Sequence, residues 1–369
     1  MSLKCGIVGL PNVGKSTLFN ALAGEAKAQA ANYAFCTIEP NVAIVNVPDE
    51  RLEKLASIAK SGQIIATQME FVDIAGLVKG ASKGEGLGNQ FLANIREVDC
   101  IINVVRCFED EDISHVENRV NPIADLELIE MELVLADLES LSKRLPNLQK
   151  KAKNSKDAEL KLQIELIEKI LIELEGGKMA NNLQIEDEDE KRVFKNLGLV
   201  SGKKQIYVTN VKDDELGGNK YTEKFNEFLQ KNRNCAGAII VCAKIEEEIA
   251  MLEDIEEKKE FLNEVGIKVS GLNQIIKASY DILDLITFFT AGVQECRAWT
   301  VKKGSLAPQA AGVIHTDFET GFIKAQTISY ADYVRFNGEE GCKNNGKLRL
   351  EGKGYEVVDG DVFHFKFNV

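Results

Sequence analysis

The stretch Gly9-Leu10-Pro11-Asn12-Val13-Gly14-Lys15-Ser16-Thr17 decides the fold of this chain. It follows the apolar run Cys5–Val8 and leads into Leu18-Phe19-Asn20-Ala21-Leu22, a pattern that predicts a strand, a glycine loop and a helix. In that setting, the spacing G-x-x-x-x-G-K-S is typical of a phosphate-binding loop, whose backbone N–H groups and helix N-terminus surround phosphate oxygens.

The loop supplies the first predicted site residues. We expect Lys15 to reach the β- and γ-phosphates of a nucleoside triphosphate and the Ser16 hydroxyl to bind Mg²⁺. A chance glycine loop is the alternative, but the strand, loop and helix signals agree in the way a phosphate loop requires. The predicted nucleotide contacts in this stretch are Asn12, Val13, Gly14, Lys15, Ser16 and Thr17.

Short apolar runs with helical or loop segments between them indicate a largely parallel sheet covered on both faces, an α/β nucleotide domain. These runs are Cys5–Val8, Val42–Val47, Met69–Val72, Cys100–Val105, Gln205–Val208 and Ala238–Val241. Between them, residues 125–199 carry two seams of leucine and isoleucine spaced three and four apart, which predict an antiparallel helical hairpin.

Beyond residue 279 the pattern changes to short strand-like pieces with glycine-rich turns, which predict a small mixed α/β domain. The predicted strands there are Arg297–Val301, Gly321–Gln326, Tyr355–Val358 and Val362–Phe367. We therefore predict a discontinuous nucleotide domain at 1–124 and 200–279, a hairpin insertion at 125–199 and a C-terminal domain at 280–369.

The composition narrows the function classes. A net charge of −13 argues against a protein that coats DNA or other nucleic acid through overall charge. The eight cysteines are scattered and include no C-x-x-C pair, which indicates reduced thiols and argues against a disulfide framework or a zinc site. We see no signal peptide, and no apolar run approaches the ~18 residues of a membrane span. We expect a cytoplasmic protein that does not enter membranes.

Two further segments complete a predicted magnesium and γ-phosphate site. Thr37 lies just before a strand, where a threonine is often only a turn residue, but its place after a phosphate loop favours Mg²⁺ binding. Asp73-Ile74-Ala75-Gly76 matches D-x-x-G at a strand end, so we expect Asp73 to hold magnesium through water and the Gly76 amide to sense the γ-phosphate.

Position 77 is leucine, which cannot orient a water molecule as the glutamine of many related switch proteins does. Either catalysis is slow or another group positions the water. His115 is the candidate catalytic residue, and an ordinary surface histidine is the alternative reading.

Base choice is predicted at Asn210-Val211-Lys212-Asp213, directly after a strand. A guanine-reading loop would be N-K-x-D, and Val211 replaces its lysine, which suits adenine. Asp213 argues against adenine, because a buried carboxylate that faces the acceptor edge of adenine costs about 1–3 kcal/mol of binding free energy. Cys242-Ala243-Lys244 fits the position of a second base-contacting loop.

With these residues assembled, the chain resembles the Obg-like ATPase (YchF) family over essentially its whole length. The similar segments are Gly9–Thr17, Phe35–Pro40, Phe71–Phe91, Val105–Phe108, Arg297–Thr300, Ala307–Gly312 and His315–Phe318. Val211, Leu77 and His115 match the family pattern, whereas the family usually carries glutamate at the position of Asp213.

The resemblance implies a Ras-like P-loop domain, an inserted helical hairpin and a C-terminal TGS domain of ubiquitin-like fold. It also implies ATP in preference to GTP, and association with the large ribosomal subunit and its rRNA. The cofactor expected from Ser16, Thr37 and Asp73 is Mg²⁺. We expect a monomer. Asn12 also occurs in switch proteins that use potassium, so K⁺ stimulation is a further hypothesis.

Charge suggests where RNA would bind. Between Lys143 and Lys156 the predicted hairpin tip carries six basic residues and no acidic one. A solvated helix end is the alternative. Lys302, Lys303, Lys324 and Arg335 form a second basic set in the C-terminal domain.

The functional alternatives to an ATP-hydrolysing switch are a GTPase and a nucleotide-controlled adaptor whose hydrolysis is incidental. A small-molecule kinase is disfavoured, because the segment after Asp73 supplies a switch and no acceptor pocket.

Overall fold

Strand β1 leads directly into the phosphate loop and lies inside a six-stranded sheet. The structure, a computed structural model, describes residues 3–30, 41–74, 87–110, 119–153, 155–233, 235–252 and 254–368. In chain order the strands are β1 (Lys4–Val8), β2 (Val42–Asn46), β3 (Gln63–Ile65), β4 (Gln68–Asp73), β5 (Cys100–Arg106), β6 (Lys204–Asn210), β7 (Ile239–Val241), β8 (Leu285–Ala291), β9 (Glu295–Lys302), β10 (Phe322–Ser329), β11 (Arg349–Glu351) and β12 (Asp361–Phe367).

The α-helices lie between and around these strands. They are α1 (Lys15–Ala30), α2 (Glu50–Ala59), α3 (Leu87–Glu97), α4 (Pro122–Ala152), α5 (Ala158–Glu175), α6 (Glu188–Leu197), α7 (Lys220–Arg233), α8 (Ala243–Met251), α9 (Ile255–Val265), α10 (Gly271–Ile282), α11 (Ala307–Ile314), α12 (Thr316–Thr320), α13 (Tyr330–Arg335) and α14 (Glu339–Asn344). In the described part of the chain, no helix is both long and apolar enough to cross a bilayer.

The chain divides into two compact units, residues 1–45 with 70–274 and residues 46–69 with 275–369. The sheet of the first unit has the order β2-β4-β1-β5-β6-β7. β1 pairs in parallel with β4 and β5, and β6 pairs in parallel with β5 and β7. All seven residues of β5 are buried, as expected of a central strand covered on both faces. The carboxyl ends of these parallel strands therefore share one edge, where ligands of such sheets bind.

Helices α4, α5 and α6 occupy the connection between β5 and β6. Asn121 caps α4 by accepting from the Ala124 amide, and Asp157 caps α5 by accepting from the Glu159 and Leu160 amides. The buried Asp137 of α4 accepts from the Val200 and Ser201 amides and from the Ser201 hydroxyl, which fixes α4 to the turn before β6. Burial raises the pKa of the Asp137 carboxyl.

The second unit has a mixed six-stranded sheet of order β11-β10-β12-β8-β9-β3. β8 pairs antiparallel with β9, and β10 pairs antiparallel with β12, whereas β12–β8 and β3–β9 are parallel. One face packs on α2, because Leu52 and Leu55 share a buried cluster with Phe289 and Cys296.

The division of the chain differs from the predicted one. Residues 46–69 were predicted to lie in the nucleotide domain, but β3 joins the second sheet through β9 and α2 lies in the core of the second unit. The predicted strand at 355–358 is only an isolated bridge between Leu306 and Glu356, and β8 was not predicted.

Candidate nucleotide site

The phosphate loop lies between β1 and α1. Asn12 and Gly14 both have positive φ, 63° and 93°, and the Leu18 amide donates to the Gly14 carbonyl at 3.0 Å. A Cβ atom at position 14 would overlap the side-chain amide of Asn210. Glycine is thus required there for both conformation and space.

Lys15 and Asp73 form an ion pair across this loop. Lys15 is 8% exposed, so its ammonium lies at the edge of the protein interior, beside the end of β4. The Ser16 hydroxyl is on the exposed side of α1. One hydroxyl and one carboxylate are oxygen donors of the kind that Mg²⁺ takes together with phosphate and water, so the residues present fit this ion.

Asn210 joins the phosphate loop to the predicted base loops. Its amide nitrogen donates to the Val13 carbonyl at 3.0 Å, and its amide oxygen accepts from the Ala243 amide at 2.9 Å. Val13 is itself buried, so it contributes its backbone and not its side chain. The Val211 amide donates to the Val241 carbonyl at 2.8 Å, which holds the ends of β6 and β7 together. Three segments distant in sequence therefore meet at one point.

A cavity of about 530 Å³ opens at this point. A volume of about 300–1,000 Å³ is usual for small-molecule sites. The lining residues are Asn12, Gly14, Thr17, Phe108, Asp110, Asn210, Val211, Lys212, Asp213, Cys242, Ala243 and Lys244. The structure thus places part of the phosphate loop and both predicted base loops around a single cavity.

The residues predicted to read the base differ in exposure. Val211 is 2% exposed, whereas the Asp213 carboxylate is exposed and accepts from the Asp214 amide at 3.0 Å. The sequence argument assumed a buried carboxylate at position 213. Because the observed carboxylate stays in contact with water, its desolvation penalty against adenine is smaller than expected.

Cys242 and Ala243 form the N-terminal end of α8. Burial raises the pKa of the Cys242 thiol, so this residue stays protonated near neutral pH. The thiol is neither a nucleophile nor a metal ligand in that form. Ala243 contributes its backbone amide, the group that binds Asn210.

One wall of the cavity is formed by residues that were not predicted from the sequence to contact a nucleotide. Phe108 and Asp110 line it, and the buried guanidinium of Arg106 donates to the carbonyl oxygens of both, at 3.0 and 3.1 Å. The signal was the segment Val105–Phe108, which contributed to the family resemblance but was not connected to the nucleotide.

Four predicted positions lie outside the described residues. They are the magnesium candidate Thr37, the γ-phosphate sensor Gly76, the position of Leu77 and the catalytic candidate His115.

Comparisons with known proteins match segments of both units. Residues 4–137 match a family model described as 50S ribosome-binding GTPase, and residues 285–368 match the YchF GTPase C-terminal model, described as a protein of unknown function (DUF933). The chain is 54% identical over 371 residues to the ribosome-binding ATPase YchF of Haemophilus influenzae, covering all of both chains. The chain belongs to the YchF family.

Other YchF relatives are equally complete matches. The ribosome-binding ATPase YchF of Bacillus subtilis is 53% identical and that of Escherichia coli O157:H7 is 52% identical, each over the full length of both chains. The solved structure of the Schizosaccharomyces pombe YchF GTPase has a TM-score of 0.88 and 38% identity, covering 99% of this chain and 98% of that one. The YchF fold therefore extends over both units.

Proposed function

We propose that this protein is a Mg²⁺-dependent, ATP-hydrolysing switch that binds the ribosome in the cytoplasm. The observation that supports it best is the Asn210 clamp, which joins the phosphate loop at Val13 to the base loops at Ala243 around one nucleotide-sized cavity. The curated relatives are named ribosome-binding ATPases.

ATP is favoured over GTP by the buried Val211, which occupies the position where a guanine-reading loop has lysine. The exposed Asp213 carboxylate removes the main argument against adenine. GTP remains the second candidate, because Asn210 and Asp213 keep the first and last residues of N-K-x-D, and the S. pombe relative is titled a GTPase.

Competitive binding of ATP and GTP to the full chain tests base choice. We expect tighter ATP binding to the wild type and to Asp213→Glu, and a shift toward GTP in Val211→Lys. Asp214→Lys, which adds a lysine at an exposed position of the same loop outside the cavity lining, is the matched control. Tighter GTP binding by both wild type and Asp213→Glu would overturn the ATP assignment.

The chemistry we propose is phosphoryl transfer to water through positioning and charge neutralisation. Lys15 would exchange its ion pair with Asp73 for the β- and γ-phosphates, while Ser16, Thr37 and Asp73 would hold Mg²⁺, which supplies positive charge beside the phosphates. Gly76 would sense the γ-phosphate.

We keep His115 as the residue that positions water, because Leu77 has no hydrogen-bonding group. An unchanged single-turnover rate in His115→Ala would remove this role. Potassium is a second proposed ion, with the Asn12 amide oxygen as its ligand. Equal hydrolysis rates in potassium and sodium salts would exclude it.

Helix α4 carries the surface that we propose for rRNA of the large subunit. Two of the six basic residues have partners within the protein, because Lys143 pairs with Glu139, and Arg144 donates to the Leu197 carbonyl at 3.1 Å. The other four are exposed lysines at and after the C-terminal end of α4. They are Lys150, Lys151, Lys153 and Lys156.

Ribosome affinity measured against salt concentration tests this surface. Replacing the four lysines with serine should weaken binding and reduce its salt dependence. With fewer phosphates contacted by lysine, fewer counterions are released from the RNA on binding. The four basic residues of the second unit, Lys302, Lys303, Lys324 and Arg335, form a set of equal charge for comparison. Comparing affinity with ATP and with ADP separates a switch from an adaptor, since an adaptor with incidental hydrolysis has equal affinities.

A further inference from the structure

A buried cation lies behind the nucleoside end of the cavity. Arg106 ends β5 and is 2% exposed, although a guanidinium is charged at all ordinary pH values. Burying such a charge costs free energy unless hydrogen bonds and nearby opposite charges offset it. Arg106 is not among the described residues that line the cavity, so we assign it no direct contact with a ligand there.

The hydrogen bonds of Arg106 go to the wall of the cavity. Its Nε atom donates to the Phe108 carbonyl at 3.0 Å, and its Nη2 atom donates to the Asp110 carbonyl at 3.1 Å. The guanidinium carbon also lies 4.5 Å from the centroid of the Phe108 ring, within the range of a cation–π contact. One side chain therefore holds both the backbone and the ring of the segment that lines the cavity.

The same charge faces the first turn of α4. Asp125 is 3% exposed, and its carboxylate and that of Asp110 stabilise the guanidinium. Burial is the larger influence and lowers the pKa of Arg106. Arg106 thus connects the wall to Asp125 in the interior of the unit.

We infer that Arg106 is a positioning residue for nucleoside recognition, which fixes Phe108 and Asp110 as a rigid wall without touching the nucleotide. The inference rests on the proposed function, in which this cavity takes a nucleoside triphosphate. It makes base and ribose binding depend on Arg106, whereas phosphate binding depends on the loop around Lys15. Lysine does not replace it, because all donors of an ammonium are on one nitrogen, whereas the planar guanidinium reaches the two carbonyls from Nε and Nη2 while lying over the ring.

The test compares two probes on the full-length protein with Mg²⁺: ATP, and inorganic tripolyphosphate, which lacks the nucleoside. In Arg106→Lys we expect ATP affinity to fall about 10-fold or more, while tripolyphosphate affinity stays within about 2-fold of wild type. Arg233→Lys is the matched control, since Arg233 is a half-buried arginine of the same unit, paired with Glu130 and stacked on Phe228.

A double-variant cycle distinguishes positioning from general stability. If Arg106 acts by positioning Phe108, Arg106→Lys should add little to the loss of ATP affinity already caused by Phe108→Ala. Unchanged ATP affinity, equal losses for both probes, or additive losses in the cycle would each overturn the inference. So would failure of both Arg106→Lys and Arg106→Gln to fold, which would make Arg106 a stability residue. A wild type that binds neither ATP nor GTP would instead refute the proposed function.

Discussion

The side chain of Asn210 donates to the carbonyl of Val13 at 3.0 Å, across 197 residues of sequence. Asn210→Asp preserves the shape but removes this donor and places a carboxylate against a carbonyl oxygen. We expect about 1–3 kcal/mol lower free energy of unfolding and at least about 10-fold weaker nucleotide binding. Urea denaturation and nucleotide titration measure both.

Asn226→Asp is the control for that change. The described hydrogen bond of Asn226 uses its amide oxygen, which accepts from the Ala238 amide at 2.8 Å, and aspartate keeps that acceptor. Equal losses in the two variants would show that Asn210 has no special role in joining the loops.

The Lys15–Asp73 pair leads to a prediction about metal dependence. In the proposed site Asp73 holds Mg²⁺ through water, so Asp73→Asn should raise the magnesium concentration for half-maximal hydrolysis about 10–100-fold. Glu70→Gln, on the same strand but paired with Lys4, should leave the magnesium titration unchanged. An unaltered titration in Asp73→Asn would remove this residue from the metal site.

Buried Glu246 should make the free energy of unfolding depend on pH. It is 1% exposed and accepts from the amides of Gly271 and Leu272, and burial raises its pKa in the folded chain. The folded state therefore binds the proton more tightly than the unfolded state, and the contribution of Glu246 to stability falls as pH rises from its ordinary pKa through the raised one.

Glu246→Gln isolates this effect, because glutamine does not titrate. The free energy of unfolding of the wild type minus that of the variant should decrease as pH rises through this interval and then level off. Exposed Glu248 on the same helix provides the control Glu248→Gln, for which the difference should be flat. A flat difference for Glu246→Gln would contradict the prediction.

The ion pairs of Arg51 should contribute to the stability of the second unit. It pairs with Asp49 at 2.8 Å and Asp359 at 2.5 Å, so it joins α2 to the turn before β12. Because these groups are partly exposed, we expect Arg51→Met to cost about 1–2 kcal/mol. Trp299, the single tryptophan of the chain, lies in this unit, so its fluorescence reports the unfolding. Lys54→Met, an exposed change on the same helix, should cost nothing measurable.

The strands of the first sheet were predictable because each is a local apolar run. The fully buried β5, for example, begins at the predicted residue and ends one residue later. Helix caps are local as well, since Asn121 accepts from the amide of Ala124, but no helix start was predicted from them.

The assignment of residues 46–69 failed because it depends on pairing between distant segments. β3 has three residues, two of them exposed, and gives no local sign that it pairs with β9 more than two hundred residues later. The aromatic wall was missed for a related reason, since nothing in the sequence around Phe108 shows that Arg106 folds back onto its carbonyl. The phosphate loop was recognisable because its chemistry is contained in nine consecutive residues.

The pairing of β3 with β9 also has a consequence for synthesis of the chain. The second sheet takes an edge strand, β3, from the N-terminal half, while its interior strand β12 follows all the other strands in the chain. Leu52 and Leu55 therefore emerge from the ribosome long before Phe289 and Val362, the residues that cover them, exist. The second unit can therefore complete its fold only after β12 has been synthesised, and until then the apolar face of α2 lacks the strands that cover it.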